Sequence, residues 1–162
     1  MFNYQATVDF IEEENVYEIN FSDFSELQGV SYCKEDVELE AQEILLASFA
    51  ELIELRKPIP LATQTKSEAT FTVYLPIICC LKIALHNAIL NSATQRIDLA
   101  RRLNINAQQI ERLLDIHYAS KIELLEQALY ILGIEASITV TQKLVVNSMN
   151  WSSLMRNSAE IA

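Results

Sequence analysis

The chain has 162 residues, a formal net charge of -10 and a hydrophobic share of 51%, enough to bury a core and to hold one domain or two small ones, of which we read two. Its two glycines, Gly29 and Gly133, leave no material for a glycine-rich phosphate loop, so nucleotide-driven chemistry is disfavoured. Cys33, Cys79 and Cys80 are three, two of them adjacent, which suits neither a disulfide framework nor a paired metal knuckle and implies a reducing cytoplasm.

Phe2, Tyr4, Ala6, Val8 and Phe10 alternate as a strand with one buried face, and Val16 to Phe21 reads as its partner across the turn Glu12-Glu13-Glu14-Asn15. Leu27 to Tyr32 reads as a third strand, with a bulge expected at Gly29. From Lys34 to Arg56 the period becomes helical: Val37, Ala41, Leu45, Ser48, Phe49 and Leu52 line one face, and Glu38, Glu40, Glu43, Glu51 and Glu54 fall largely outside. Pro58 and Pro60 end it. Residues 61–69 are polar and aperiodic, and Phe71 to Leu75 reads as a fourth strand.

Pro76 opens a helix from Ile77 to about Asn91 that is apolar around too much of its circumference for a lone surface helix. The apolar run Leu75 to Ala84 is interrupted by Pro76 and Lys82 and is too short to span a bilayer. Met1 is followed by Phe2-Asn3-Tyr4-Gln5, without a basic region and apolar core, so no secretory signal is expected.

Thr94 to Ile122 is the most informative stretch. Ile97, Leu99, Ala100 and Leu103 recur at helical spacing, as do Ile110, Leu113 and Leu114, and Asn104-Ile105-Asn106 separates the two sets. Asparagine tolerates the left-handed conformation that leaves a helix, and Asn106 can cap the free amides of the next one. This is a helix-turn-helix pattern, with Gln108, Gln109 and Arg112 on the exposed face near the start of the second helix, where base edges of a major groove are read. Lys121 to Leu132 reads as a further helix stopped by Gly133. Ile138 to Thr141 reads as a short strand that pairs with its copy in a second subunit. Residues 142–162 read either as a tail with a docking helix on Trp151, Leu154 and Met155 or as an unstructured one.

Charge divides the same way. Residues 1–57 carry 14 acidic and 3 basic side chains, net -11, whereas residues 76–141 carry 6 of each. An acidic surface repels nucleic acid and steers a basic partner, so the halves are expected to serve different partners.

Phe21-Ser22-Asp23, Gln28-Gly29, LARR at Leu99 to Arg102, Gln108, Arg112-Leu113, His117, Ala119 and Lys121-Ile122 fall in an order that resembles the helix-turn-helix branch of the HicB antitoxins, over about residues 2–141. The chain departs from that pattern at Ser22, where proline is usual, at Arg96, where glutamine is common, and at Asn104, the usual turn glycine. The resemblance implies an α+β protein: an N-terminal toxin-binding domain (1–75) with a small antiparallel sheet and one helix, partly ribonuclease-H-like, then an all-α helix-turn-helix domain with a short terminal strand (76–141), and a tail (142–162). It implies a cytoplasmic, non-enzymatic homodimer or higher homo-oligomer that masks a basic, mRNA-cleaving HicA-type toxin and represses its own operon by binding operator DNA. The DNA-contacting residues would be Arg96, Asn106, Gln108, Gln109, Arg112 and Lys121. No motif assigns the toxin-contacting residues.

Other readings compete. Those polar side chains also fit a solvated helix face, and the alternative function is a stand-alone prophage-type transcriptional regulator whose acidic domain binds another protein or ligand. Asp9, Asp23 and Glu43 on a ribonuclease-H-like sheet raise magnesium-dependent hydrolysis, but the Phe71 to Leu75 strand carries no acid, so no metal cage is expected. Cys79 and Cys80 point in different directions on a helix and only one can face His86, so core packing explains them better than a metal or thiol site, and no cofactor is expected. Glu111, between the reading residues, is expected to point away from phosphate.

Overall fold

The N-terminal hairpin forms as β1 (Asn3–Ile11) and β2 (Val16–Phe21) in a computed structural model that describes residues 2–63 and 70–140. Its turn closes on Asn15 with φ 54, the left-handed region that asparagine tolerates better than most residues. Tyr4, Ala6 and Val8 are buried on one face as the alternation requires. Phe10, expected with them, is half-exposed, because it lies near the hairpin end opposite Tyr17, and the two rings meet at a tilt with centroids 4.9 Å apart.

The third strand, β3 (Phe24–Ser31), begins earlier than the expected Leu27. The irregularity in its ladder with β2 falls between Asn20 and Phe21, not at Gly29. Gly29 lies opposite Ile19, on the buried face, and a Cβ there would come within 2.0 Å of Ile44 Cδ1. The missing side chain admits the helix that follows rather than a bulge.

After a 3-10 turn at Lys34–Asp36, that helix is α1 (Val37–Glu54). Its inner stripe is Val37, Ala41, Leu45, Phe49 and Ile53, all buried at a spacing of four. Ser48 and Leu52, expected in that stripe, are only half-buried. The helix stops before the prolines: Arg56 takes φ 53, and Lys57 N–H donates to Leu52 O at 2.9 Å, a left-handed C-terminal cap in which arginine stands where glycine is usual. The fourth strand, β4 (Phe71–Tyr74), pairs antiparallel with β1, giving the order β3-β2-β1-β4. Gln5, 4% exposed, is satisfied by donating to Thr72 Oγ1 at 3.0 Å, and Gln42 Nε2 on α1 donates to Tyr74 O.

The remaining elements are α2 (Ile77–Asn91), α3 (Arg96–Arg102), α4 (Ala107–Leu114) and α5 (Ile122–Ile131). α2 is covered on several sides, packing on α4 and α5, while α3 packs on α4 and α5. Asn87 on α2 holds both backbone groups of Ile59, accepting from its N–H at 2.9 Å and donating to its O at 2.8 Å. These bonds lie within one of two compact units, residues 46–60 with 75–139; residues 2–45 with 61–63 and 70–74 belong to the other. α5 ends on Gly133 at φ 78, with Ile134 N–H donating to Leu129 O.

Ile138 to Val140 pair with no strand of their own chain, which leaves open the pairing with a second subunit read from the sequence, and Thr141 lies outside the described residues. A strand needs an edge to pair its amides and carbonyls, and Val140 is 90% exposed. The docking helix read on Trp151, Leu154 and Met155 also lies outside the described residues. Among the described residues no single helix is long and apolar enough to cross a membrane.

Candidate nucleic-acid interface

Residues 103–106 join α3 to α4, and both of their asparagines act as their chemistry suggests. Asn104 takes φ 54 while Ile105 N–H donates to Ala100 O at 3.0 Å, closing α3. Asn106 opens α4 as half of a reciprocal box: its Oδ1 accepts from Gln109 N–H at 2.8 Å, and Gln109 Oε1 accepts from Asn106 N–H at 2.9 Å. We expect Asn106→Ala to lower stability by about 0.5–2 kcal/mol. Asn106→Asp, which keeps the acceptor, should lose much less; thermal midpoints of the two variants check this.

Leu99 and Ala100 of α3 are buried, as are Ile110, Leu113 and Leu114 of α4. Ile97, expected in the α3 stripe, is half-exposed because it lines a cleft of about 400 Å³ open to solvent. The outer face of α4 presents Gln108 and Arg112, both exposed. The Arg112 guanidinium sits over the Tyr118 ring, 5.4 Å from its centre. Lys121 is exposed immediately before α5.

The other residues singled out from the sequence have protein partners. Asn106 and the Gln109 carboxamide oxygen serve the cap. Arg96, its side chain only 15% exposed, bonds Glu111 Oε2 at 2.5 Å. That pair offsets the Glu111 charge beside Gln108 and Arg112, and it leaves Arg96 less available than Arg112 or Lys121. The pair has no signature in the sequence, because nothing in the pattern shows that a side chain at the start of α3 reaches a carboxylate on α4 fifteen positions on.

The same wall of the cleft includes His86, which is 1% exposed. Its Nε2 lies 2.7 Å from Lys57 O; a carbonyl only accepts, so the ring donates there. Burial pushes the His86 pKa below its ordinary 6.5, against the opposing pull of the Lys57 carbonyl and with a smaller contribution from Arg96. The unfolded chain therefore binds a proton more readily than the fold. This contribution to stability is complete above the ordinary value and is lost as pH falls through the depressed one. Between about pH 7.5 and pH 5 we expect His86→Gln to lose less of its thermal midpoint than the wild-type chain.

Cys79 and Cys80 diverge. The buried Cys79 thiol lies 3.7 Å from Ile116 O and Cys80 3.8 Å from Leu75 O. Burial raises both thiol pKa values, Cys80 to about 11 with the neighbouring Cys79 adding to it, which disfavours the reactive thiolate. Among the described residues no group of three or more His, Cys, Asp or Glu is placed to hold a metal ion. Asp23 instead accepts from Thr63, through N–H at 3.0 Å and Oγ1 at 2.6 Å.

Lys82 was legible only as an interruption of an apolar run, yet it is fully buried. Its Nζ lies 3.2 Å from Arg112 O, 2.5 Å from Asp115 O, 2.7 Å from Tyr118 O and 2.8 Å from Ser120 Oγ. Burial lowers its pKa, while the Asp115 carboxylate and Cys79 act in the opposite sense.

A four-stranded antiparallel sheet with one helix, followed by a helical region, defines an α+β protein. The family model described as a HicB-like antitoxin of bacterial toxin–antitoxin systems matches residues 3–84. The chain is 30% identical over 131 residues to Antitoxin HicB 2 of Photorhabdus laumondii subsp. laumondii, covering 81% of this chain and 92% of that one. It is 31% identical over 127 residues to Antitoxin HicB of Escherichia coli, with 78% and 91% covered, and 34% identical over 98 residues to Antitoxin HicB of Pseudomonas fluorescens, with 60% and 65% covered. The chain belongs to the HicB-like antitoxin family. The family model ends within α2, whereas a match of 131 residues in a chain of 162 necessarily takes in α3 and α4.

Proposed function

We propose that this chain is a non-enzymatic antitoxin that masks a HicA-type toxin through its acidic N-terminal half and represses its own operon as a homodimer, reading operator DNA with α3 and α4 as a helix-turn-helix. The observation that carries the DNA-reading half is the division of α4, which buries Ile110, Leu113 and Leu114 and exposes Gln108 and Arg112. Glutamine offers a donor and an acceptor to adenine and arginine a fork to guanine, while Lys121 supplies a cation for a backbone phosphate. Arg96, Asn106 and Gln109 support this surface, Arg96 by offsetting Glu111 and the other two by fixing where α4 begins. The neutral balance of residues 76–141 suits approach to a polyanion better than the net -11 of residues 1–57, and that acidic excess suits a basic toxin.

Two measurements test the reading. Co-expression with the small basic frame next to its gene should relieve that frame's growth arrest, and the two proteins should co-purify. The purified chain should bind the duplex upstream of its own gene in preference to a scrambled duplex. Absence of such a toxin frame, with duplex binding retained, would favour a stand-alone regulator instead.

A further inference from the structure

We propose that Lys82 is a positioning residue for operator recognition: from inside α2, its ammonium fixes the backbone at the end of α4 and in the following loop, and thereby sets where Arg112 is presented to the duplex. The inference rests on the reading of α4 as the DNA-reading helix.

α1, α3 and α5 each close on a residue in the left-handed region, Arg56, Asn104 and Gly133, whose turn satisfies the last carbonyls. α4 has no such cap: Asp115 is extended, with φ -67 and ψ 115, so the chain leaves the helix without folding back on it. Its terminal carbonyls then need donors from elsewhere. Lys82 reaches in from α2 to Arg112 O within the last turn and to Asp115 O just past it, where it adds to the Tyr118 N–H that donates to the same oxygen at 3.2 Å. A cation at that end also complements the helix dipole.

The geometry is that of a clamp rather than a tolerated lysine. An ammonium out of water is strongly disfavoured unless its donors are satisfied, and every group around Nζ is an oxygen: three carbonyls and the Ser120 hydroxyl. Four acceptors for three N–H groups leave one shared, and Arg112 O is the longest. The two residues whose side chains form the cation–ring contact, Arg112 and Tyr118, both have their carbonyls on this one nitrogen. Between them, Asp115 Oδ1 accepts from His117 N–H at 3.0 Å, a local turn that keeps the loop on course. The backbone under the guanidinium and the backbone under the ring it rests on are thus held by the same point.

A cation that merely filled the core would, on removal, change stability alone. A positioning cation would change discrimination through Arg112. The test uses the full chain and fluorescence anisotropy on the duplex upstream of its own gene and on a scrambled duplex, for wild type, Lys82→Met, Arg112→Ala and the double variant. We expect Lys82→Met to weaken binding to the cognate duplex by about tenfold or more, on the scale of one lost base contact. Scrambled-duplex binding should stay within about twofold, and the double variant should be no weaker than Arg112→Ala alone, since residues acting through one contact are not additive. Losses equal on both duplexes, losses that add to those of Arg112→Ala, or unchanged cognate affinity would overturn the proposal. If Lys82→Met does not fold, Ser120→Ala removes a single partner at the half-buried edge of the clamp and should show the same non-additive pattern on a smaller scale; full additivity or no change there overturns it equally. A wild-type chain that does not distinguish the two duplexes would instead bring down the DNA-binding reading itself, and this inference with it.

Discussion

Replacing Gln108 and Arg112 together by alanine is expected to remove most sequence-specific DNA binding while leaving capture of the toxin intact. Both side chains are exposed on α4, and a good bidentate pair with a base discriminates by about 1–3 kcal/mol. Together they are worth roughly 2–6 kcal/mol, or about thirtyfold and upward in the dissociation constant. The loss should be confined to the cognate duplex, because phosphate contacts such as that assigned to Lys121 set the sequence-independent level and its salt dependence. Neither side chain belongs to the core, so the unfolding midpoint should move little. Anisotropy on both duplexes and calorimetry against the toxin separate the two activities. Equal operator affinity in wild type and double variant would contradict the assignment of these residues.

How much of this was legible beforehand depended on whether the physics was local. The period of two in Tyr4, Ala6 and Val8 and the steps of four along Val37, Ala41 and Leu45 each report which side of an element meets the core, and those elements are where the pattern puts them. Asn104 and Asn106 were legible because their roles, a left-handed exit and an N-terminal cap, involve only neighbouring backbone. Where the cause is distant, the pattern misleads. Gly29 in a strand signals either a bulge or a close approach, and only Ile44, arriving from α1, decides between them. Arg56 takes a conformation that composition assigns to glycine. Lys82 reads as a break in an apolar run because its partners are mostly backbone carbonyls 30 to 36 residues away, which have no side-chain signature. The candidate interface was legible as a face, through Gln108 and Arg112, but not as a network. The Arg96–Glu111 pair and the Lys82 clamp both come from packing that brings separate helices together.

Tyr4→Ala is expected to have the largest effect of any single substitution in the sheet, a loss of about 3–5 kcal/mol. Tyr4 is fully buried on β1, the strand flanked by β2 and β4, opposite Val73, with its ring 5.6 Å from that of Phe24. Truncation removes its transfer free energy and opens a cavity that a strand paired on both sides cannot collapse to fill. Against a typical total of about 5–15 kcal/mol, that is roughly a fifth of the stability or more. Tyr4→Leu should lose less, because it keeps part of the volume. Tyr32→Ala, at a residue 78% exposed, should stay within about 0.5 kcal/mol. Urea titrations followed by circular dichroism rank the three. A toxin-binding surface spread over the acidic half has no single reacting group to lose, so neutralisation in co-expression should follow the same ranking: Tyr4→Ala defective, Tyr4→Leu intermediate, and Tyr32→Ala changed only if that ring itself touches the toxin. Full neutralisation by a Tyr4→Ala chain whose urea midpoint has collapsed would show that the sheet is not what the toxin binds.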